Sequence, residues 1–122
     1  MKKNILVIED EPALLKALTL KLEKNNFSVI SVRSVEGAFC ESLEKVDAIL
    51  LDHNLLGDKN GLDFVKIFKD KGGEFSNVPI FVVSNTANPD LVKSYAQLGV
   101  TKYYFKAEHK LEEIVEEIKK AL

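Results

Sequence analysis

Short apolar runs alternate with amphipathic, helix-length stretches about five times along the chain, and few folds accept that order. The alternation is the signature of a parallel sheet with helices on both faces. It places strands near residues 4–9, 27–32, 47–52, 79–84 and 102–106. Strands buried on both faces read as continuous apolar runs, and Ile5 to Ile8, Ala48 to Leu51 and Ile80 to Val83 have that character.

Between the runs the helix signals are local. Pro12 suits a first helical position, and Leu14, Leu15, Leu18 and Leu22 make one stripe that ends at Asn25-Asn26. Ser34 can cap a second helix running to about Leu43, with Val35, Ala38 and Phe39 inward. Gly61 opens a third, apolar at Leu62, Val65, Ile67 and Phe68 and stopped by Gly72-Gly73. Asn88-Pro89 starts a fourth, followed by Gly99, and the fifth runs from about Lys110 with Leu111, Ile114, Val115 and Ile118 inward. Right-handed crossovers leave few topologies for such units. The expected fold is α/β, a flavodoxin-like (βα)5 doubly wound parallel sheet in strand order 2-1-3-4-5, with residues 1–122 as a single domain. In that order strands 1 and 3 are neighbours at the switch point, where ligands bind beyond the carboxyl ends of the strands.

Composition narrows the function. A chain of 122 residues with 46% hydrophobic and 30% charged residues suits one globular core. Its formal charge of -2 argues against bulk attraction to nucleic acid. Cys40 has no second thiol for a disulfide or a zinc site, and a reducing cytoplasm suits it. The first residues lack a signal-peptide core, and no run approaches the roughly 20 apolar residues of a membrane span. A soluble, cytoplasmic protein is the expectation.

The polar residues that close the runs carry the chemistry. Glu9 and Asp10 end the first, Asp52 the third, Ser84 the fourth and Lys106 the fifth. A parallel sheet gathers them at one edge as an acidic pocket with an ammonium beside it. The segment Glu9-Asp10-Glu11-Pro12 offers acids rather than the free backbone N–H groups of a phosphate cradle, which disfavours a nucleotide there. Mg²⁺, which takes hard oxygen ligands, is favoured instead, with Asp10 and Asp52 as ligands and Glu9 acting directly or through water. Asp52 stands where strand becomes loop, exposed enough to attack phosphorus. The Ser84 hydroxyl and the Lys106 ammonium are suited to phosphoryl oxygens. Phosphoryl transfer needs mainly positioning and charge neutralisation, which this set supplies.

In order and spacing, Glu9-Asp10, Asp52, Gly61, Pro79 with Ser84, and Gly99-Val100-Thr101-Lys102-Tyr103-Tyr104-Phe105-Lys106 resemble the response-regulator receiver domain of two-component signalling over essentially the whole chain. The resemblance implies that Asp52 takes a phosphoryl group from the phosphohistidine of a histidine kinase or histidine phosphotransfer protein. It implies that Glu9, Asp10 and Asp52 bind Mg²⁺ with the backbone carbonyl of Asn54, and that Ser84 and Tyr103 form a switch pair. Asn54, Asn85 and Thr86 lie where the family tunes dephosphorylation. Catalysis would extend to the chain's own phosphoryl transfer and autodephosphorylation at most. The departures are specific. Ala107 follows Lys106 where the family usually has proline; a cis bond before alanine costs about 2.5–4 kcal/mol, so a trans bond and a rebuilt loop are expected. Leu56 replaces a common loop proline, Gly57-Asp58-Lys59-Asn60 lengthens that loop by a residue, and Asn85 replaces a small residue.

Plainer roles compete. Glu9, Asp10 and Glu11 could complement a helix dipole, worth about 0.3–1 kcal/mol each. Ser84 alone would bond local backbone, and Lys106 alone would snorkel at the surface. His53 should point away from Asp52 along the strand, Tyr104 is packing, His109 is surface and Cys40 core. With Leu122 following the fifth helix directly, the expectation is a stand-alone receiver without an output domain, or a fragment of something larger. Its downstream protein would meet the face of helix 4, strand 5 and helix 5, which carries Lys93, Tyr95, Tyr103 and residues 110–122. No direct nucleic-acid or membrane contact is expected, and homodimer formation is left open. The alternative is a receiver-like binding scaffold that is never phosphorylated. An aspartate-nucleophile phosphatase would want two aspartates one residue apart after strand 1, and a flavodoxin-type redox carrier a hydroxyl- and glycine-rich phosphate loop; neither pattern is present.

Overall fold

Ile5 to Ile8 are all wholly buried, which a strand achieves only when both faces of its sheet are covered. The computed structural model describes residues 2–55, 57–86 and 88–122. In it β1 (Asn4–Ile8), β2 (Ser28–Val32), β3 (Ala48–Asp52), β4 (Ile80–Ser84) and β5 (Lys102–Phe105) alternate with α1 (Pro12–Lys24), α2 (Val35–Phe39), α3 (Gly61–Asp70), α4 (Pro89–Gln97) and α5 (Leu111–Ala121). All strand pairs are parallel and the order is β2-β1-β3-β4-β5, the flavodoxin-like arrangement read from the sequence.

Strand periodicity divides the apolar side chains between two cores. Leu6, Ile8, Ile49, Leu51, Ile80 and Val82 point to the layer of α2, α3 and α4, where they meet Val35, Ala38, Phe64, Val65, Phe68 and Tyr95. Ile5, Val7, Ala48, Leu50, Phe81 and Val83 point to the layer of α1 and α5, where they meet Leu18, Leu22, Ile114, Val115 and Ile118. Helix starts follow local chemistry. Asn60 and Asp63 form a reciprocal capping box at α3, and Asn88 accepts the Asp90 amide at α4, just ahead of Pro89.

Three sequence readings need correction. α2 ends at Phe39 instead of about Leu43, because the chain turns to bury Leu43 and Val46 through a separate 3-10 turn, Leu43–Lys45. Cys40, read as core, consequently lies outside the helix and is exposed. On α3 the inward stripe is Phe64, Val65 and Phe68, which leaves Ile67 at its edge and 38% exposed. The described peptide bonds are all trans, that before Ala107 included, and a 3-10 turn over Lys106–Glu108 leads towards α5. Leu56 lies outside the described residues.

Gly61 sets the closeness of α3 to the end of β3. A methyl group there would come within 2.8 Å of the Asp52 carbonyl oxygen, 3.0 Å of His53 Cα and 2.5 Å of the Tyr95 hydroxyl. Two of those neighbours are backbone and cannot swing aside. Gly61→Ala is therefore expected to lower the stability read from urea unfolding by about 1–3 kcal/mol at unchanged m-value. An unshifted midpoint would show that the loop yields freely.

Candidate functional site

The parallel register carries four strand ends to one place. Ile8 pairs with Leu51, Asp52 with Val83 and Ser84 with Phe105, so Glu9, Asp52, Ser84 and Lys106 stand side by side at the carboxyl edge. Glu9, Asp52 and Ser84 are buried, at 2%, 5% and 0% exposure, while Asp10 is half-buried, so Asp52 is less open than its place at a strand end suggests, because the loops beyond the sheet edge cover it. One carboxylate oxygen from each of Glu9, Asp10 and Asp52 lies within 4.8 Å of the others. Lys106, whose approach the loss of the following proline put in question, places its Nζ 3.2 Å from Glu9 Oε1 and 3.5 Å from Asp52 Oδ2. Glu9 Oε2 accepts the Glu11 amide at 3.2 Å, and Arg33 donates to the Asp10 carbonyl from Nη2 at 3.0 Å.

Burial pushes the Glu9 carboxyl up to about 7 from an ordinary 4.5; the Asp52 charge adds to the rise, and the Glu11 amide and Lys106 oppose it. Three acids around one ammonium leave the pocket short of positive charge, and the donor set is all hard oxygen. That set fits a small divalent cation.

The opposite wall is hydrogen-bonded to itself. The Thr86 amide donates to Ser84 Oγ at 3.0 Å, and the Tyr103 hydroxyl donates to the Thr86 carbonyl at 2.6 Å. Ser84 thus makes the local backbone bond that its residue type alone suggests. Tyr103 is half-buried; Asn54 and Asn85 are exposed at the rim. His53 turns from the acids, as expected, and its Nδ1 shares a 2.6 Å hydrogen bond with the Tyr95 hydroxyl. Burial holds its imidazole below the usual range.

Tyr95 corrects the sequence reading. Placed there on the partner face, it is wholly buried under α4. The signal was present in Leu91, Tyr95 and Leu98, an i, i+4, i+7 apolar stripe that marks the inward side of a helix. Tyr104 is also wholly buried, as its packing role implied, and His109 is half-buried with its ring edge against Tyr104.

With this geometry in view, the family model described as the response regulator receiver domain matches residues 5–119. The chain belongs to that family. Its fold is shared with solved receivers. The non-phosphorylated receiver domain of HemR from Leptospira biflexa superposes with a TM-score of 0.87 at 22% identity, covering 98% of this chain and 93% of that one. Vibrio cholerae chemotaxis protein CheY4 gives 0.88 at 17% identity, covering 100% of both. The phosphorylated cyanobacterial phytochrome response regulator RcpA gives 0.80 at 24%, covering 99% of this chain and 91% of that one. No curated protein matches the sequence. Among the described residues of this receiver, no helix is long and apolar enough to cross a membrane.

The raised Glu9 carboxyl has a consequence for stability. The folded receiver holds that proton more tightly than the unfolded chain, so its contribution is full below about 4.5 and lost as pH rises through about 7. Glu9→Gln, neutral throughout, is expected to stabilise the protein in chelator near pH 8 by up to roughly 3 kcal/mol, with the advantage closing towards pH 5. Thermal melts across that range check it. An equal difference at both ends would mean that Glu9 ionises freely.

Proposed function

We propose that this receiver takes a phosphoryl group from the phosphohistidine of a histidine kinase or histidine phosphotransfer protein onto Asp52. The observation that carries the reading is Lys106 Nζ lying 3.2 Å from Glu9 and 3.5 Å from Asp52, beside a third acid, Asp10. An Asp52 oxygen attacks phosphorus, forming the acyl phosphate bond as the donor P–N bond breaks and its electron pair returns to the imidazole. Glu9, Asp10, Asp52 and the backbone carbonyl of Asn54 would hold Mg²⁺, which when bound neutralises charge on the phosphoryl oxygens. Lys106 supplies a fixed positive charge to a second oxygen, and Ser84 has a hydroxyl proton to give a third. Asn54, Asn85 and Thr86 flank the phosphoryl position and set the access of hydrolytic water.

The result would be read on the face of α4, β5 and α5, where Lys93 is exposed and Tyr103 half-buried. Ser84 and Tyr103 both bond Thr86, so a pull on Ser84 by the phosphoryl group disturbs the anchor of Tyr103. A downstream protein that prefers one arrangement shifts the population towards it.

Incubation with Mg²⁺ and acetyl phosphate, followed by intact mass, should show one alkali-labile phosphoryl adduct that Asp52→Asn abolishes. Lys106→Ala should slow its formation by at least about tenfold, and Asp10→Asn should weaken the rise in melting temperature with Mg²⁺. A wild-type chain without an adduct would favour the unphosphorylated binding scaffold, and an adduct that survives Asp52→Asn would overturn Asp52 as the acceptor.

A further inference from the structure

Tyr95 touches both the loop after Asp52 and one member of the proposed switch pair, Tyr103. Its hydroxyl shares a 2.6 Å hydrogen bond with Nδ1 of His53, the residue after Asp52, and the two rings meet edge to face with centroids 5.6 Å apart at 84°. On its other side the Tyr95 ring lies 5.7 Å from that of Tyr103. Tyr103 in turn bonds the Thr86 carbonyl, and the Thr86 amide bonds Ser84. These contacts make a chain from His53, next to Asp52, through Tyr95, Tyr103 and Thr86 to Ser84, which stands back at the pocket.

These contacts leave little slack. A tyrosine hydroxyl in an apolar core needs a partner, and His53 supplies it. Gly61, whose amide donates to the His53 carbonyl at 2.9 Å, has no side chain where the Tyr95 hydroxyl passes. The hydroxyl is therefore both bonded to and packed against the loop that follows Asp52. A change in the ring position of Tyr103 alters its contact with Tyr95, and the Tyr95 hydroxyl is in turn tied to that loop through His53.

We infer that Tyr95 is a positioning residue that couples the loop after Asp52 to the orientation of Tyr103. The inference rests on the reading of Asp52 as phosphoacceptor and Tyr103 as switch residue. It gives α4 an internal connection to the site, beside the one through Ser84 and Thr86.

The test uses the full chain labelled with 3-fluorotyrosine, whose three tyrosine resonances are assigned by single Tyr→Phe variants. In the wild type, Mg²⁺ with beryllofluoride, a stable phosphoryl mimic, should shift the Tyr103 resonance. Tyr95→Phe keeps the ring and removes the hydroxyl. It should leave the acetyl phosphate adduct on Asp52 intact by mass, while the Tyr103 shift falls at least about twofold. His53→Leu should reproduce that loss from the other end, and His53→Asn, which keeps a polar atom near the Nδ1 position, should restore the shift. A purely structural role would lower stability in these variants and leave the Tyr103 response whole. An undiminished Tyr103 shift in Tyr95→Phe overturns the inference, as does a wild-type adduct without any Tyr103 response. Should Tyr95→Phe fail to fold, equal Tyr103 shifts in the two His53 variants overturn it as well. A wild-type chain with no adduct overturns the phosphoacceptor reading itself, and the coupling falls with it.

Discussion

Because the sheet is covered by helices on both faces, the middles of β1, β3 and β4 admit only apolar side chains, and polar chemistry is confined to the strand ends. That constraint shapes the rest of the molecule. Glu9, Asp52 and Ser84 begin where the apolar runs stop, yet the helix ends and loops still bury them almost fully. A buried carboxylate needs an opposite charge or hydrogen bonds within a few ångströms. Lys106 meets the need because β5 pairs with β4 so that Ser84 lies opposite Phe105, and the next residue is the lysine. Sheet register, more than the loop that follows it, delivers the ammonium.

The compensation is incomplete, and this is what distinguishes a site from an ordinary buried ion pair. Lys106 is shared between Glu9 and Asp52, while Asp10 adds a further acid at the mouth and Arg33 spends its guanidinium on the Asp10 carbonyl. The upward shift of Glu9 records the shortfall, since burial and the Asp52 charge outweigh the lysine. A carboxyl perturbed by burial together with a specific charge neighbour, at the edge of a sheet, is a candidate for a functional site. A divalent cation bound among these oxygens would remove the repulsion and stabilise the fold by its own binding free energy.

Most of this was legible in the amino-acid order. The apolar runs gave the strands, right-handed crossovers gave their sequence in the sheet, and the acids followed from both. The failures have local causes. Ser34 marks the start of α2 correctly, but the demand of Leu43 and Val46 for burial, a tertiary effect, ends it early and leaves Cys40 exposed. Ile67 lies at the edge of the inward face of α3, about 60° from Phe64 on the side away from Val65, so its apolar type alone does not bury it. Tyr95 belongs to the inward stripe it forms with Leu91 and Leu98, and helical spacing, not residue type, is what reveals that burial. The departure at Ala107 seemed to threaten Lys106, yet strand pairing had already set the position of that lysine.

The pairing of Tyr95 with His53 ties α4 to the loop after Asp52. Removing His53 strands the hydroxyl of the wholly buried Tyr95, at a cost of about 1–3 kcal/mol, whereas the half-buried His53 can turn to solvent when that hydroxyl is removed. Replacing both by apolar groups of similar shape can be nearly neutral. Gly61 adds a third party, because its missing side chain is the space through which the hydroxyl reaches the loop. A part-buried hydrogen bond aimed at the residue beside Asp52, on a ring that ends against Tyr103, is well placed to transmit a position as well as to pack the layer.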